Sequence, residues 1–430
     1  MVIAAGIAVA IAALTGSLLV GNSVKRNLEH SSLARLGNIQ YTAVSKGFFL
    51  ETLADRLRAE QNKENKGRSV EAVLVLPALV KKSTSETLVP DAVLTGVKES
   101  YWADSLKTVV LPDKRDAVLN EVLARDLKVH EGDYLVVKIA ETGFAPGDSL
   151  FGGKNLEDTR RSFPVIVRTI VKNIPPADFS LKNEAVKPRN IFVRLDYLQE
   201  QIKKPGKVNC LLFFWDGLSP EESLRRSLEI EDLGLRIVLN KGYFVLESDN
   251  MVLPGAAVEA AEKAAKANWL SSEQTSVYLL NSINGKAPYS IVFGSSRLFS
   301  GKSGAGQPAS ALEPIILSSW AAEDTGVAVG DTVKTEYFSS GKNGEYELKT
   351  KQFLVINIEP QDAMAANAVV PKFEGMTDAG NMAGWKTPFP VELKKIRQKD
   401  ELFWNSYRTA PKALIKFETA KKFWQPAYSG

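Results

Sequence analysis

The first charged side chain is Lys25, and no polar side chain occurs between Val2 and Leu14. A helix packed on a soluble core carries a polar stripe on its outer face, and this stretch has none. A secretory signal begins with a basic region and has a shorter apolar core, and this stretch fits neither feature. Roughly 20 apolar residues rising 1.5 Å each cross a ~30 Å hydrocarbon layer, and Met1 to Val24 comes close to that span. Gly6, Gly16, Ser17 and Gly21 add small residues at near-helical spacing, which let helices approach closely in a bilayer. The pattern predicts a membrane helix over 1–24, ahead of an export signal or a soluble core helix. Lys25 and Arg26 flank only its C-terminal end, so the positive-inside rule, which compares two flanks, does not orient it.

Beyond it the pattern changes. SVKRNLEHSSLARLG (23–37) reads as a helical continuation closing at Gly37, and its weak apolar stripe makes 25–37 a stalk rather than a packed helix. IQYTAV (39–44) alternates like a strand, and Phe49, Leu53 and Leu57 recur at helical spacing after it. RAEQNKENKGR (58–68) reads as a polar loop, and AVLVLPALV (72–80) as a buried strand. Further on, residues 254–270 are rich in Ala, Glu and Lys and predict a helix, while SVYLLNSI and YSIVFG predict strands. GKSGAGQPAS (301–310) reads as a flexible loop, 394–408 as a polar helix, and 411–424 as a strand followed by a short helix.

An internal repeat organises these pieces. VLNEVLARDLKVHEGDYLV (118–136) aligns without a gap to ILSSWAAEDTGVAVGDTVK (316–334), 198 residues later. Leu119 matches Leu317, Asp126 matches Asp324, and Gly132-Asp133 matches Gly330-Asp331. Each copy reads as a strand end, a short helix, a Gly-Asp turn and a departing strand, with FPVIVRTIV (163–171) or FLVINIE (353–359) following. Glycine reaches positive φ in such a turn and Asp bonds the backbone there. The expected fold class is therefore α+β with antiparallel or mixed sheets, in two related lobes over 25–250 and 251–430.

Composition narrows the function. The 54 basic and 50 acidic residues are scattered and leave a net charge of only +4, which argues against a nucleic-acid partner. Cys210 is alone in CLLFFW and reads as a buried small hydrophobe. The two histidines, His30 and His130, are far apart with no cluster at metal-ligand spacing, so no metal or cofactor is expected. Gly301-Lys302-Ser303 lacks the phosphate-loop glycine, since Ser296 stands there, and Ala305 spoils a G-x-S-x-G reading. His130 reads as a solvated turn residue because its counterpart is Ala328, so a serine nucleophile has no base. Acidic pairs such as Glu99 with Asp104, or Glu221-Glu222, lack a partner arrangement for glycoside chemistry. The aromatic pairs (Tyr101-Trp102, Phe213-Phe214-Trp215, Phe403-Trp404, Phe423-Trp424) read as packing before they read as a stacking surface. No catalytic residues are expected.

LTGSLLVGNSVKRNLEHSSLARLG resembles the first membrane helix and its exit in ABC-transporter permeases of the FtsX-like/MacB type. The resemblance continues in order through TGVKESYW, VLNEVLARDLKVHEGD, LEIEDLGLRI, PYSIVFG, ILSSWAAEDTGVAVGD and KDELFWNSYRTAPKALIKFETAKKFW. Asn22 departs from it, an acidic residue being commoner in such openings. The resemblance implies a MacB-like periplasmic core domain after one helix of a bacterial inner-membrane permease, with residues after about 25 extracytoplasmic. It also implies partners: membrane lipid, a separate ABC ATPase subunit that hydrolyses ATP, and further permease helices or a second permease copy. On that footing the chain is expected to be an N-terminal piece that couples ATP hydrolysis to export or release of an envelope substrate. The alternative is a self-sufficient, single-helix anchored binding or scaffold protein of the cell envelope.

Overall fold

A computed structural model describes the chain except for residues 1–19, 28, 31, 63–69, 103–108, 141–159, 173, 182–185, 215–219, 241, 250–252, 299–311, 341–345, 371–375, 378, 386–390 and 425–430. Among the described residues no helix is long and apolar enough to cross a membrane. The predicted crossing lies in its greater part, residues 1–19, outside them. The described residues between 20 and 36 are helical and end in a turn at Gly37-Asn38, as the stalk pattern predicts. The described residues form two compact units, one up to Leu235 with this helix included and the other from Arg236 onward. Both mix helices with mixed sheets.

The first unit holds β1 (Tyr41–Leu50), β2 (Val70–Lys82), β3 (Leu88–Val97), β4 (Asp116–Asn120), β5 (Tyr134–Ala140), β6 (Arg160–Val171), β7 (Asn190–Arg194) and β8 (Lys207–Phe213). Phe49, expected on a helix, is the penultimate residue of β1, and the helix begins only at Thr52. Its spacing to Leu53 and Leu57 spans a strand end and a helix start that bury the same side. The strand order is β1-β8-β2-β3-β7-β4-β6-β5, and β2 also pairs with β5. That last pairing closes six strands into a ring, which removes their free edges. Leu74, Leu94, Leu119, Leu135, Val165 and Ile191 belong to one fully buried cluster contributed by all six. A second cluster covers part of the ring, with Val118 and Phe192 against Tyr101, Trp102, Cys210 and Ile39, the residue that follows the stalk.

After the hairpin of β9 (Leu235–Asn240) and β10 (Tyr243–Ser248), the second unit holds β11 (Ser276–Leu280), β12 (Ser282–Ile283), β13 (Ser290–Gly294), β14 (Glu313–Ser318), β15 (Thr332–Ser340), β16 (Tyr346–Glu359) and β17 (Ala413–Ile415). Its strand order is β11-β13-β17-β14-β16-β15-β12. Because β11 runs into β12 with one residue between them, this ring also closes, and β11/β12 does the work of β2. Each barrel has the same parallel pairs (β3 with β7 and β13 with β17, β4 with β6 and β14 with β16). Even the bulge recurs, between Ala117 and Val118 and again between Ile315 and Ile316.

The repeated unit explains the match. Asn120 and Ser318 cap the short helices by accepting from the Leu123 and Ala321 N–H groups. Gly132 and Gly330 adopt φ of 91° and 98°. Gly132 N–H donates to Val167 O at 2.7 Å, and Gly330 N–H to Val355 O at 2.8 Å. Asp133 accepts from the His130 N–H at 2.9 Å, and Asp331 from the Ala328 N–H at 2.8 Å. A cap of this kind is worth ~1 kcal/mol, and the side chain locks the turn that sends the next strand back to the ring. The repeat reaches further than the matched stretch. Gly96 and Gly294 also lie 198 residues apart, each where a helix crosses its strand. A Cβ at Gly96 would sit 3.1 Å from Leu198, and one at Gly294 only 2.7 Å from Ala420.

Candidate functional site

Most residues singled out for chemistry have structural occupations. His130 is exposed in the Gly-Asp turn. Cys210 is fully buried, and burial pushes its thiol up to about 12, far from a reactive thiolate. Glu221 and Glu222 are exposed and reach Arg225 and Arg226 one helical turn on, at 3.1 and 3.3 Å. Glu99 is exposed at the start of a short turn whose Tyr101 and Trp102 are buried, while Asp104 and Gly301-Lys302-Ser303 lie outside the described residues. Trp102 packs edge-on to Tyr101 and Phe192 with centroids 5.0 Å away in each case, and Trp404 lies 4.9 Å from Trp385. These pairs are packing. Trp215 and the Phe423 and Trp424 side chains fall outside the described set. Among the described residues no group of three or more His, Cys, Asp or Glu could hold a metal ion.

Two arrangements stand out. In the second unit Asp324 is buried at the end of its helix. It accepts from Arg397 at 2.7 Å, from Lys399, and from the Ala287 N–H at 2.9 Å. Burial works against ionisation here, but these donors outweigh it and hold the carboxyl at about 2. Arg397 also grips Asp400 at 2.8 Å. Lys412 lies beneath, with its ammonium 4.0 Å from the Trp320 ring centre and 4.4 Å from that of Phe403. Burial pulls it down to about 8, and the Asp400 and Asp324 carboxylates resist that fall. Asp126, the counterpart of Asp324, has a simpler bond to Arg189 at 2.8 Å.

In the first unit an open cleft of about 450 Å³ lies where the parallel neighbours β3 and β7 end. Val97, Trp102, Val109, Leu111 and Leu195 form its apolar walls, and Glu51, Lys98, Glu99, Arg194 and Asp196 its charged ones. Arg194 clasps Asp196 through two bonds of 3.0 and 2.7 Å. Gln199 donates to Glu51 at 2.9 Å, and Lys98 lies 3.7 Å from the same carboxylate. Trp102 is 2% exposed, and its indole N–H has no acceptor among the described residues. The walls come from four separate segments of chain, so no sequence spacing announces them. The cleft is open to solvent, its apolar residues are each 6% exposed or less, and Arg194 with Asp196 and Lys98 with Glu51 are paired on its rim.

No protein-family model matches the chain, and no curated protein matches it either. Among solved structures it is similar to the periplasmic region of MacB from Actinobacillus actinomycetemcomitans, at 11% identity and a TM-score of 0.24, over 55% of this chain and 98% of that one. It is similar also to the extracellular domain of the noncanonic ABC-type transporter YknZ from Gram-positive bacteria, at 15% identity and a TM-score of 0.24, over 43% and 88%. Scores of this size carry no argument, and the functional reading is built on the sequence.

Proposed function

We propose that the chain is the first membrane helix and the extracytoplasmic body of an ABC-transporter permease subunit in a bacterial inner membrane. A separate ATPase would supply the energy, and the body would act on an exported or released envelope substrate. The observation that carries this reading is the ordered run of permease-like segments from LTGSLLVG to KFETAKKFW, headed by an uncharged stretch of membrane-spanning length. The stalk supports it. Residues 20–27 are exposed on the helix that leads into it, and Leu36, at that helix's last turn, packs with Ile39 against the apolar cluster that holds Trp102 and Leu111. A helix is stiff enough to pass movement from the bilayer into that cluster.

A Gly-Pro insertion between Val24 and Lys25, made in the complete transporter, tests the coupling. Proline removes a helical hydrogen bond and breaks the rod. Substrate release should then fail while the ATPase stays bound and active. Unchanged release would contradict the coupling and favour the anchored scaffold, which needs no such rod.

A further inference from the structure

We infer that residues 174–179, between β6 and β7, form a strap that makes the foot of the stalk and the capped helix Glu121–Leu127 open and close as one unit. On one side the strap meets the stalk. Gly37, with φ of 57°, ends the stalk so near Pro175 that a Cβ there would lie 2.7 Å from the proline Cβ. Burial raises the Asp178 carboxyl, and the field of Arg35, buried in the stalk's last turn, opposes that rise. Ala177 and Phe179 share their apolar cluster with Ile39 and Leu36. The Tyr101 hydroxyl, from the same cluster, donates to Pro176 O at 3.0 Å and holds the strap down.

On its other side the strap meets the cap. Asn190, fully buried at the start of β7, donates through Nδ2 to Ala177 O at 2.9 Å and to Phe179 O at 2.8 Å. Its own N–H donates at 3.1 Å to Asn120 Oδ1, the oxygen that caps the helix by accepting from the Leu123 N–H at 3.1 Å. A buried polar group without its partner is costly, so lifting the strap off Asn190 also weakens the hold of Asn120 on the helix. The second barrel is built otherwise. Lys412 stands there in the place of Asn190 and turns its ammonium to the Trp320 and Phe403 rings, while the Ser318 hydroxyl caps the matching helix. On the permease reading, on which this sentence alone rests, the strap is where a pull on the stalk enters the first barrel.

Amide hydrogen exchange of the full chain in lipid nanodiscs tests the strap without measuring transport, so its outcome is separate from the permease reading. Gly37→Ala forces a left-handed alanine against Pro175 and should speed exchange at least about tenfold over 174–179 and over 120–127. Exchange over 318–325, the matching cap and helix, should stay as in the unchanged protein. Tyr101→Phe keeps the ring, removes one bond to the strap, and should speed both first-barrel stretches about three- to tenfold. Asn120→Ser supplies the second barrel's cap and draws the side chain back from the Asn190 N–H. In that background Gly37→Ala should still loosen 174–179 but no longer alter 120–127. The inference is overturned if 120–127 keeps its protection in either single variant, if 318–325 speeds equally, or if Asn120→Ser fails to separate the two stretches.

Discussion

The two barrels share strand order, bulge, capped helix and Gly-Asp turn, yet they spend their loops differently. Between β6 and β7 the first barrel uses the shorter connection, and a cleft lies where β3 and β7 end. Between β16 and β17 the second inserts two helices, Gln361–Asn367 and Gln398–Tyr407, and with them the buried cluster of Asp324, Arg397, Asp400 and Lys412. Backbone devices that close the ring recur, whereas side chains that face loops diverge. The first barrel thus carries the cleft, and the second the buried charge cluster. Core positions vary with less consequence: Ala117 and Ile191 of the first barrel become Ile315 and Ala413 of the second, trading volume within one layer.

The difference in locking yields the largest expected effect. Asp324→Ala strips a buried carboxylate from Arg397, Lys399 and the Ala287 N–H and should cost about 3–5 kcal/mol. Asp126→Ala breaks a half-exposed pair and should cost no more than ~1 kcal/mol. Urea unfolding of the two variants compares them, and equal losses would erase the distinction. Next come the caps. Asn120 is fully buried and also accepts from the Asn190 N–H while donating to Pro188 O, so Asn120→Ala should cost about 2–3 kcal/mol. Ser318 only caps, and Ser318→Ala should cost ~1 kcal/mol by the same measurement.

Lys412 gives a pH signature. In the unfolded chain a lysine holds its proton to about 10.4, and in the fold Lys412 holds it only to about 8. Between these values the unfolded state binds more protons, so stability rises with pH across that window, and the penalty is full below pH 8. Lys412→Met should flatten the rise and stabilise the protein at pH 7 by about 1–2 kcal/mol, read from unfolding midpoints at pH 7 and pH 10. A wild-type curve with no rise above pH 8 would remove the burden assigned to this lysine. The last effect is shared. Gly132→Ala and Gly330→Ala have free space around the added methyl but force positive φ, so each should lose roughly 1–2 kcal/mol, and by similar amounts.

Much of this was legible where chemistry is local. The Gly-Asp turns and the helices before them stand out because only Gly suits that φ and only a few side chains cap. The matched glycines 96 and 294 do not stand out in the sequence, because VLTG and IVFG share little beyond apolar character and that glycine. Ring closure depends on β2 pairing on both sides, a long-range fact with no spacing to show it. Phe49 misled because a strand and the helix after it bury the same side. The helix expected from 394 starts at Gln398, where Asp400 reaches back to the Arg397 N–H at 2.8 Å. Its Phe403 and Trp404 are buried, so it is less polar in place than in composition. The cleft was not legible at all, since Glu51, Trp102, Leu111 and Arg194 meet only after folding.

The claim under all of this is that residues 1–24 anchor a two-barrel body on the outer side of a membrane. Alkaline carbonate extraction of cells making the full chain, followed by protease treatment of intact spheroplasts, measures it directly. The account predicts that the chain stays in the membrane pellet and that residues beyond about 25 are cut in intact spheroplasts. Release of the uncleaved chain into the carbonate supernatant, or protection of the body until the cells are opened, would contradict it.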